Sequence, residues 1–281
     1  MVNFNGNLIS SSDTFLNHEN RGFKYGDALF ESIRIINGKL LFWEDHYFRL
    51  MSSMRILRME IPMEFTMEFL EEEFIKTIKA SELSSAAVRA RLTVFRNDGG
   101  KYLPSTNECS YVIDLEVLES SFYTIDEVTY EVELFKDFYV NADRLANLKT
   151  TNKVLHTVAS VYAQENNYKN CLLLNGAKQV VEAINGNIFL VLGKTIKTPP
   201  LKDGCLDGVL RKKLVEIIAK WDDFTLEEAS ISPFELQKAD ELFITNAILG
   251  IRPVTKYRKK EYGTVVAKSL LGRLNALARL N

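Results

Sequence analysis

The sequence predicts an α+β protein built as two lobes. Strands precede helices in both halves without strict β-α-β alternation, Asn-Gly pairs mark hairpin turns, and apolar stripes of helical period lie between the strands. The 281 residues suffice for two modest domains, and 46% hydrophobic with 26% charged residues suits a globular chain with a real core.

Ala28 to Ile36 reads as a strand, Asn37-Gly38 as a tight turn, and Lys39–Trp43 as the returning strand. A helix follows from about Glu44 to Leu57, with Tyr47, Leu50, Met51, Met54 and Leu57 on one face. A second helix near Glu64 to Ala80 carries Phe65, Phe69, Ile75 and Ile78. In Val88–Phe95, Val88, Ala90, Leu92 and Val94 point one way and Arg89, Arg91, Thr93 and Phe95 the other, the alternation of a half-buried strand. Tyr111–Val117 is a further strand. The expected N-terminal lobe is thus residues 1–118, followed by a more polar linker at 119–127 and a C-terminal lobe at 128–281.

The second lobe opens with a strand at Thr129–Leu134. Lys149 then stands just before a helix with apolar positions Val154, Leu155, Val158, Val161 and Tyr162, whose first turn Thr150, Thr151 or Asn152 could cap. Strands are expected at Cys171–Asn175, Gln179–Ala183 and Asn187–Leu192, joined by turns at Asn175-Gly176 and Asn185-Gly186. Pro199-Pro200 stops the sheet, and Val209–Trp221 forms a firm helix.

Several function classes are disfavoured. A net charge of −2 gives no bulk field toward nucleic acid or a membrane, and no apolar run is long enough to span a bilayer. Cys109, Cys171 and Cys205 are far apart with no Cys-x-x-Cys pair, which argues against a zinc site or disulfide framework and for a reducing compartment. No export-type apolar segment opens the chain, so a cytoplasmic location is expected. Nucleotide-loop, nucleophile-elbow and zinc-protease motifs are missing. His18, His46 and His156 are scattered, and His156 reads as a packing or surface residue.

Four features carry chemistry. A helix N-terminus is electropositive, so an amine held there, as expected for Lys149, is pushed toward its neutral, nucleophilic form. Such an amine can join a carbonyl, including the aldehyde of pyridoxal phosphate. Glu182, late in a short apolar strand, could hold a proton on a pyridine nitrogen. Gly208 leads into a helix whose first N–H groups could bind a phosphate, and Arg49 could add a bidentate charge to it.

Taken in order, these pieces resemble the class IV (fold type IV) pyridoxal-phosphate enzymes, over nearly the whole chain. Asn20-Arg-Gly-Phe-Lys-Tyr-Gly-Asp-Ala-Leu-Phe-Glu-Ser-Ile-Arg34 is similar to that family's opening motif, and Trp43-Glu-Asp-His-Tyr-Phe-Arg-Leu50 to its phosphate-arginine segment. The resemblance implies a two-lobed fold with the cofactor between the lobes. It implies Lys149 as the catalytic, cofactor-binding lysine, Arg49 on the phosphate and Glu182 on the pyridine nitrogen. Val209, Leu210 and Ala247 fall on the two phosphate loops, where Leu210 and Ala247 replace hydroxyl residues often found in the family. Backbone N–H groups could still serve there.

Within the family, Lys149-x-x-Asn152, Phe95-Arg-Asn-Asp-Gly-Gly-Lys-Tyr102 and the Asn246…Gly250-Ile-x-Pro-Val254 ending look closest to 4-amino-4-deoxychorismate lyase. That implies Tyr25, Arg96 and Lys101 toward a small-molecule amine substrate, in a homodimer; the glycine-rich stretch is otherwise an ordinary hairpin. A class IV aminotransferase of branched-chain or D-amino acid type shares every cofactor residue. A degenerate, non-catalytic binding protein on the same fold is the third reading.

Overall fold

The structure, a computed structural model, describes residues 1–280. The chain divides into two compact units: Met1–Ser121 together with Lys149–Asn152, and Phe122–Leu148 together with the chain from Lys153 onward. The return of four residues to the first unit departs from the expectation of two contiguous lobes.

In the first unit, β1 (Val2–Phe4), β2 (Asn7–Ile9), α1 (Arg21–Tyr25), β3 (Ala28–Ile36), β4 (Lys39–Leu40), α2 (Trp43–Ile56), α3 (Met67–Ala80), β5 (Ala87–Arg96) and β6 (Cys109–Val117) follow in order. The strands form an antiparallel sheet in the order β2-β1-β6-β5-β3-β4. Asn37 and Gly38 have φ of 50° and 76°, the left-handed pair a tight hairpin needs, so β3 turns directly into β4. The returning strand is shorter than expected because Trp43 already opens α2, its indole N–H donating to Met67 O at 3.1 Å. Leu29, Ile33 and Ile35 of β3 are fully buried, as are Leu50 and Met54 of α2 and Leu70, Phe74 and Ile78 of α3.

The second unit contains β7 (Glu131–Leu134), α4 (Val154–Glu165), β8 (Asn170–Leu174), β9 (Val180–Ala183), β10 (Asn187–Leu192), β11 (Thr195–Thr198), α5 (Val209–Ile218), β12 (Thr225–Glu228), α6 (Pro233–Leu236), β13 (Glu241–Asn246), β14 (Gly250–Val254), β15 (Lys256–Tyr257), β16 (Lys260–Glu261) and α7 (Val265–Leu280). Two five-stranded sheets form, ordered β12-β11-β10-β13-β14 and β16-β15-β7-β8-β9. They share a core that includes Val132, Leu172, Val180, Ile188, Leu190, Leu242, Ile244 and Val254. No helix among the described residues is long and apolar enough to cross a membrane.

Two expectations around Lys149 are corrected. Helix α4 starts at Val154 with Lys153 as its cap residue and no side-chain cap, so Lys149 is not at a helix N-terminus. Thr151 instead directs its hydroxyl to Gly26 O at 3.3 Å. The apolar stripe of α4 is also split: Val154, Val158 and Val161 are exposed, while Leu155 and Tyr162 pack against the core beside buried Ala159 and Ala163. Small residues let that face lie close on its neighbours, and hydrophobicity alone ranks the larger valines above them.

Candidate active site

In the first unit the lysine segment is built onto β3. Phe30 N donates to Lys149 O at 2.9 Å, Thr150 bridges Leu29, and Thr151 N donates to Ala28 O at 3.0 Å. Gly26 makes room for it. With φ of 63°, a Cβ on Gly26 would come within 3.3 Å of Asn152 Cβ, so the Gly26-Asp27 pair of the opening motif is a seat for residues 149–152. The half-buried Lys149 places its amine 4.4 Å from the centroid of the Phe30 ring. Arg91, from the neighbouring strand β5, lays its guanidinium 3.8 Å from the same centroid. Burial lowers the Arg91 pKa, which Asp114 opposes. Phe30 thus carries two cations, an arrangement that favours an anionic ligand beside them.

The opposite face of β3 holds a buried charge cluster. Glu31 is 1% exposed and accepts from Arg49 Nε at 2.8 Å, from Arg49 Nη2, and from His46 Nδ1 at 2.7 Å. His46 and Arg49 are three apart on α2, so one helical face presents both to the same carboxylate. Burial alone would raise the Glu31 pKa, but the charge of Arg49 and the bond from His46 outweigh it and hold it at about 2. Burial pushes the His46 pKa down against the pull of Glu31, with Arg49 and Lys149 adding to the effect. His46 is therefore neutral, donating through Nδ1, and its buried Nε2 has no hydrogen-bond partner. Glu31 and His46 are site residues the sequence reading missed. The available signal was an acid at an inward position of an apolar strand.

The glycine-rich stretch after β5 is rigidly framed. Arg21, 3% exposed, donates from Nε to Asp27 at 2.9 Å and from Nη1 to Gly99 O at 3.0 Å and Lys101 O at 2.7 Å. Gly100 has φ of 73°, and a Cβ there would lie 2.2 Å from Leu103 O. Lys101, Tyr102 and Leu103 are left exposed, with the Tyr102 ring 5.8 Å from that of Tyr25. Arg96 is corrected to a scaffold residue. It is 5% exposed and donates to Asp27 at 2.9 Å, Arg58 O at 3.1 Å, Asn107 Oδ1 at 2.5 Å and Leu57 O at 2.8 Å. Its fork is spent on the fold, whereas Lys101 is exposed and Arg91 half-buried.

In the second unit, Glu182 lies on β9 and is 4% exposed. Its Oε1 is 2.9 Å from His156 Nε2, and its Oε2 accepts from Leu206 N at 2.9 Å. Leu206 O in turn accepts from Asn187 Nδ2 at 2.8 Å. Two residues on, Gly208 caps α5 with no side-chain cap bond, so the helix opens with the N–H groups of Val209 and Leu210. A Cβ on Gly208 would lie 2.0 Å from Asn187 Oδ1, so glycine is what this approach permits. The short loop 206–208 therefore ties Glu182 to the start of α5. Arg211 faces inward, bonded to Pro199 O at 2.8 Å and to Glu228. Ala247 follows β13, its carbonyl accepting from Tyr123 Oη at 3.0 Å, while Asn246 Oδ1 accepts from Ile248 N and Leu249 N and shapes the turn.

Residues 28–257 match the family described as amino-transferase class IV. The chain belongs to that family. Class IV members are pyridoxal-phosphate-dependent enzymes, and this class IV chain has their mixed α/β, fold-type-IV architecture. It is 28% identical, over 90% of its length and 86% of the relative, to a protein of Methanocaldococcus jannaschii described as a branched-chain-amino-acid aminotransferase. It is 26% identical, over 94% of its length and 90% of the relative, to the D-alanine aminotransferase of Bacillus licheniformis. The crystal structure of 4-amino-4-deoxychorismate lyase from Pseudomonas aeruginosa superposes with a TM-score of 0.82 at 23% identity, covering 98% of each chain.

Proposed function

We propose that this class IV enzyme uses Lys149 as its cofactor-binding lysine and acts as a 4-amino-4-deoxychorismate lyase. The donor set suits pyridoxal phosphate: a half-buried amine, a buried carboxylate, and a helix start with no side-chain cap bond, opened by a required glycine. Arg49 and the N–H groups of Val209, Leu210 and Ala247 would hold the phosphate, and Glu182 the pyridine nitrogen. When bound, the cofactor supplies an electron sink conjugated to the substrate's amine-bearing carbon. Lys149, as a free amine, would take the proton from the substrate ring carbon. Loss of that proton with cleavage of the C–O bond to the enolpyruvyl group leaves 4-aminobenzoate. The departing enolpyruvate takes up a proton as pyruvate, so no outside oxidant or reductant enters.

The observation that carries the lyase reading is the pair of cations on separate elements, Arg91 beside Phe30 and Lys101 on a rigid loop. Two such cations suit a substrate with two separated carboxylates. Exposed Tyr102 and Leu103, with the exposed valines of α4, support a homodimer. Three free cysteines, two of them fully buried, support a reducing cytoplasmic setting.

A second reading, a class IV aminotransferase, is favoured by the branched-chain and D-alanine relatives. In it, Lys149 moves the substrate's α-proton and a keto acid leaves. The two are separated by assaying pyruvate and 4-aminobenzoate formation from aminodeoxychorismate beside amino acid and 2-oxoglutarate pairs. Formation of both products supports the lyase; brisk transamination without pyruvate release rejects it. Protein that takes up no added pyridoxal phosphate rejects both.

A further inference from the structure

We propose that His156 is a positioning residue for the cofactor's pyridine nitrogen, acting through Glu182. This rests on the reading of Glu182 as that nitrogen's partner. The two buried carboxylates of the candidate site are managed in opposite ways. Glu31 is met by a bidentate arginine that cancels its charge. Glu182 is paired with no lysine or arginine among the described residues; its partners are the His156 ring at 2.9 Å and the Leu206 amide at 2.9 Å.

The state of that ring follows from its surroundings. His156 Nδ1 is buried without a hydrogen-bond partner. With no acceptor beside Nδ1, the hydrogen-bonding N–H of the ring is the one on Nε2. The geometry therefore makes Nε2 the ring nitrogen that donates to the carboxylate. One N–H donor on each oxygen fixes the plane of the carboxylate and leaves further lone pairs on both oxygens. A carboxylate fixed in orientation with lone pairs to spare can face a pyridine N–H, and a bidentate arginine in place of His156 would occupy those lone pairs. Position 156 lies in the first turn of α4 and Glu182 on β9, so the pairing of helix and strand creates the contact.

The test loads the enzyme with pyridoxal phosphate labelled with ¹⁵N in the ring. The ring-nitrogen NMR signal and the cofactor Kd are measured for wild type, His156→Leu, His156→Gln, His156→Asn and Glu182→Gln. In His156→Leu the signal should move toward the unprotonated position and the Kd should rise on the order of tenfold, the scale seen when an outer partner of an oriented ligand is removed. His156→Gln keeps an N–H donor of similar reach and should restore both. His156→Asn is too short to reach Glu182, changes a partly exposed helix position, and should behave like His156→Leu even if the leucine variant folds poorly. An unchanged signal and affinity in both the Leu and Asn variants would overturn the proposal, as would failure of glutamine to rescue. Glu182→Gln separates the two layers: if it leaves the ring signal unmoved, the Glu182 reading itself fails, whatever His156 does.

Discussion

Replacing Glu31 by glutamine removes the charge from the buried cluster while keeping its volume. Its pKa falls from 4.5 to about 2 in the folded protein, with burial opposing and Arg49 and His46 prevailing. At about 1.4 kcal/mol per pH unit, that shift corresponds to about 3 kcal/mol of stability at neutral pH. Breaking a buried ion pair by removing one partner costs about 3–5 kcal/mol, so two routes agree on the scale. The sign is fixed by the direction. A depressed carboxylate pKa gives stability that is fully present above 4.5 and is lost as pH falls toward 2. Urea unfolding of wild type and Glu31→Gln, followed from neutral pH down through this window, reads the difference directly. The gap between the two proteins should be about 3 kcal/mol at neutral pH and should close as the medium is acidified. A gap under about 1 kcal/mol, the worth of a surface pair, or one that ignores pH, would refute the assignment of Glu31 as the charged anchor of Arg49.

Lys149→Ala should abolish activity and borohydride trapping of the cofactor while leaving the unfolding midpoint nearly unchanged, because the sheet holds this residue by its main-chain carbonyl. Arg91→Met should raise KM for an anionic substrate on the order of tenfold to a hundredfold, the worth of one charged hydrogen bond, with little change in kcat. Steady-state kinetics checks this, and a fall in kcat at constant KM would remove Arg91 from substrate binding. Arg96→Ala should behave differently, costing about 3 kcal/mol in unfolding experiments through its four scaffold hydrogen bonds. An Arg96→Ala protein of normal stability with raised KM would restore Arg96 to the substrate.

Local pattern carried much of the fold. The strand read at Ala28–Ile36, the alternation of Val88–Phe95 and the Asn37-Gly38 turn correspond to β3, β5 and the hairpin, because β-rich composition, a two-residue period and a left-handed turn leave direct marks on residue choice. The strands β11 to β16 were passed over; several are only two to four residues long and are held by partners distant in sequence. The face of α4 was misread since alanine, not valine, is buried there. At the candidate site, a motif could point to Glu182 but not to His156, whose partner is 26 residues away on a different element. Arg96 shows the converse: a cation in a suggestive motif was read as ligand-facing, and only its four acceptors reveal that the fold uses it.

The four residues Lys149–Asn152 give the chain an uncommon kind of indivisibility. A fragment ending at Ser121 would contain Ala28–Phe30, the strand residues that fix the lysine's main chain, but no lysine. A fragment beginning at Phe122 would contain the lysine without those strand residues. Neither half of a split gene could inherit the chemistry, and co-expressed halves would regain it only if residues 149–152 found their place on β3 again. Complementation of two such fragments would therefore report on threading of this segment, a step that ordinary pairing of two finished domains does not require.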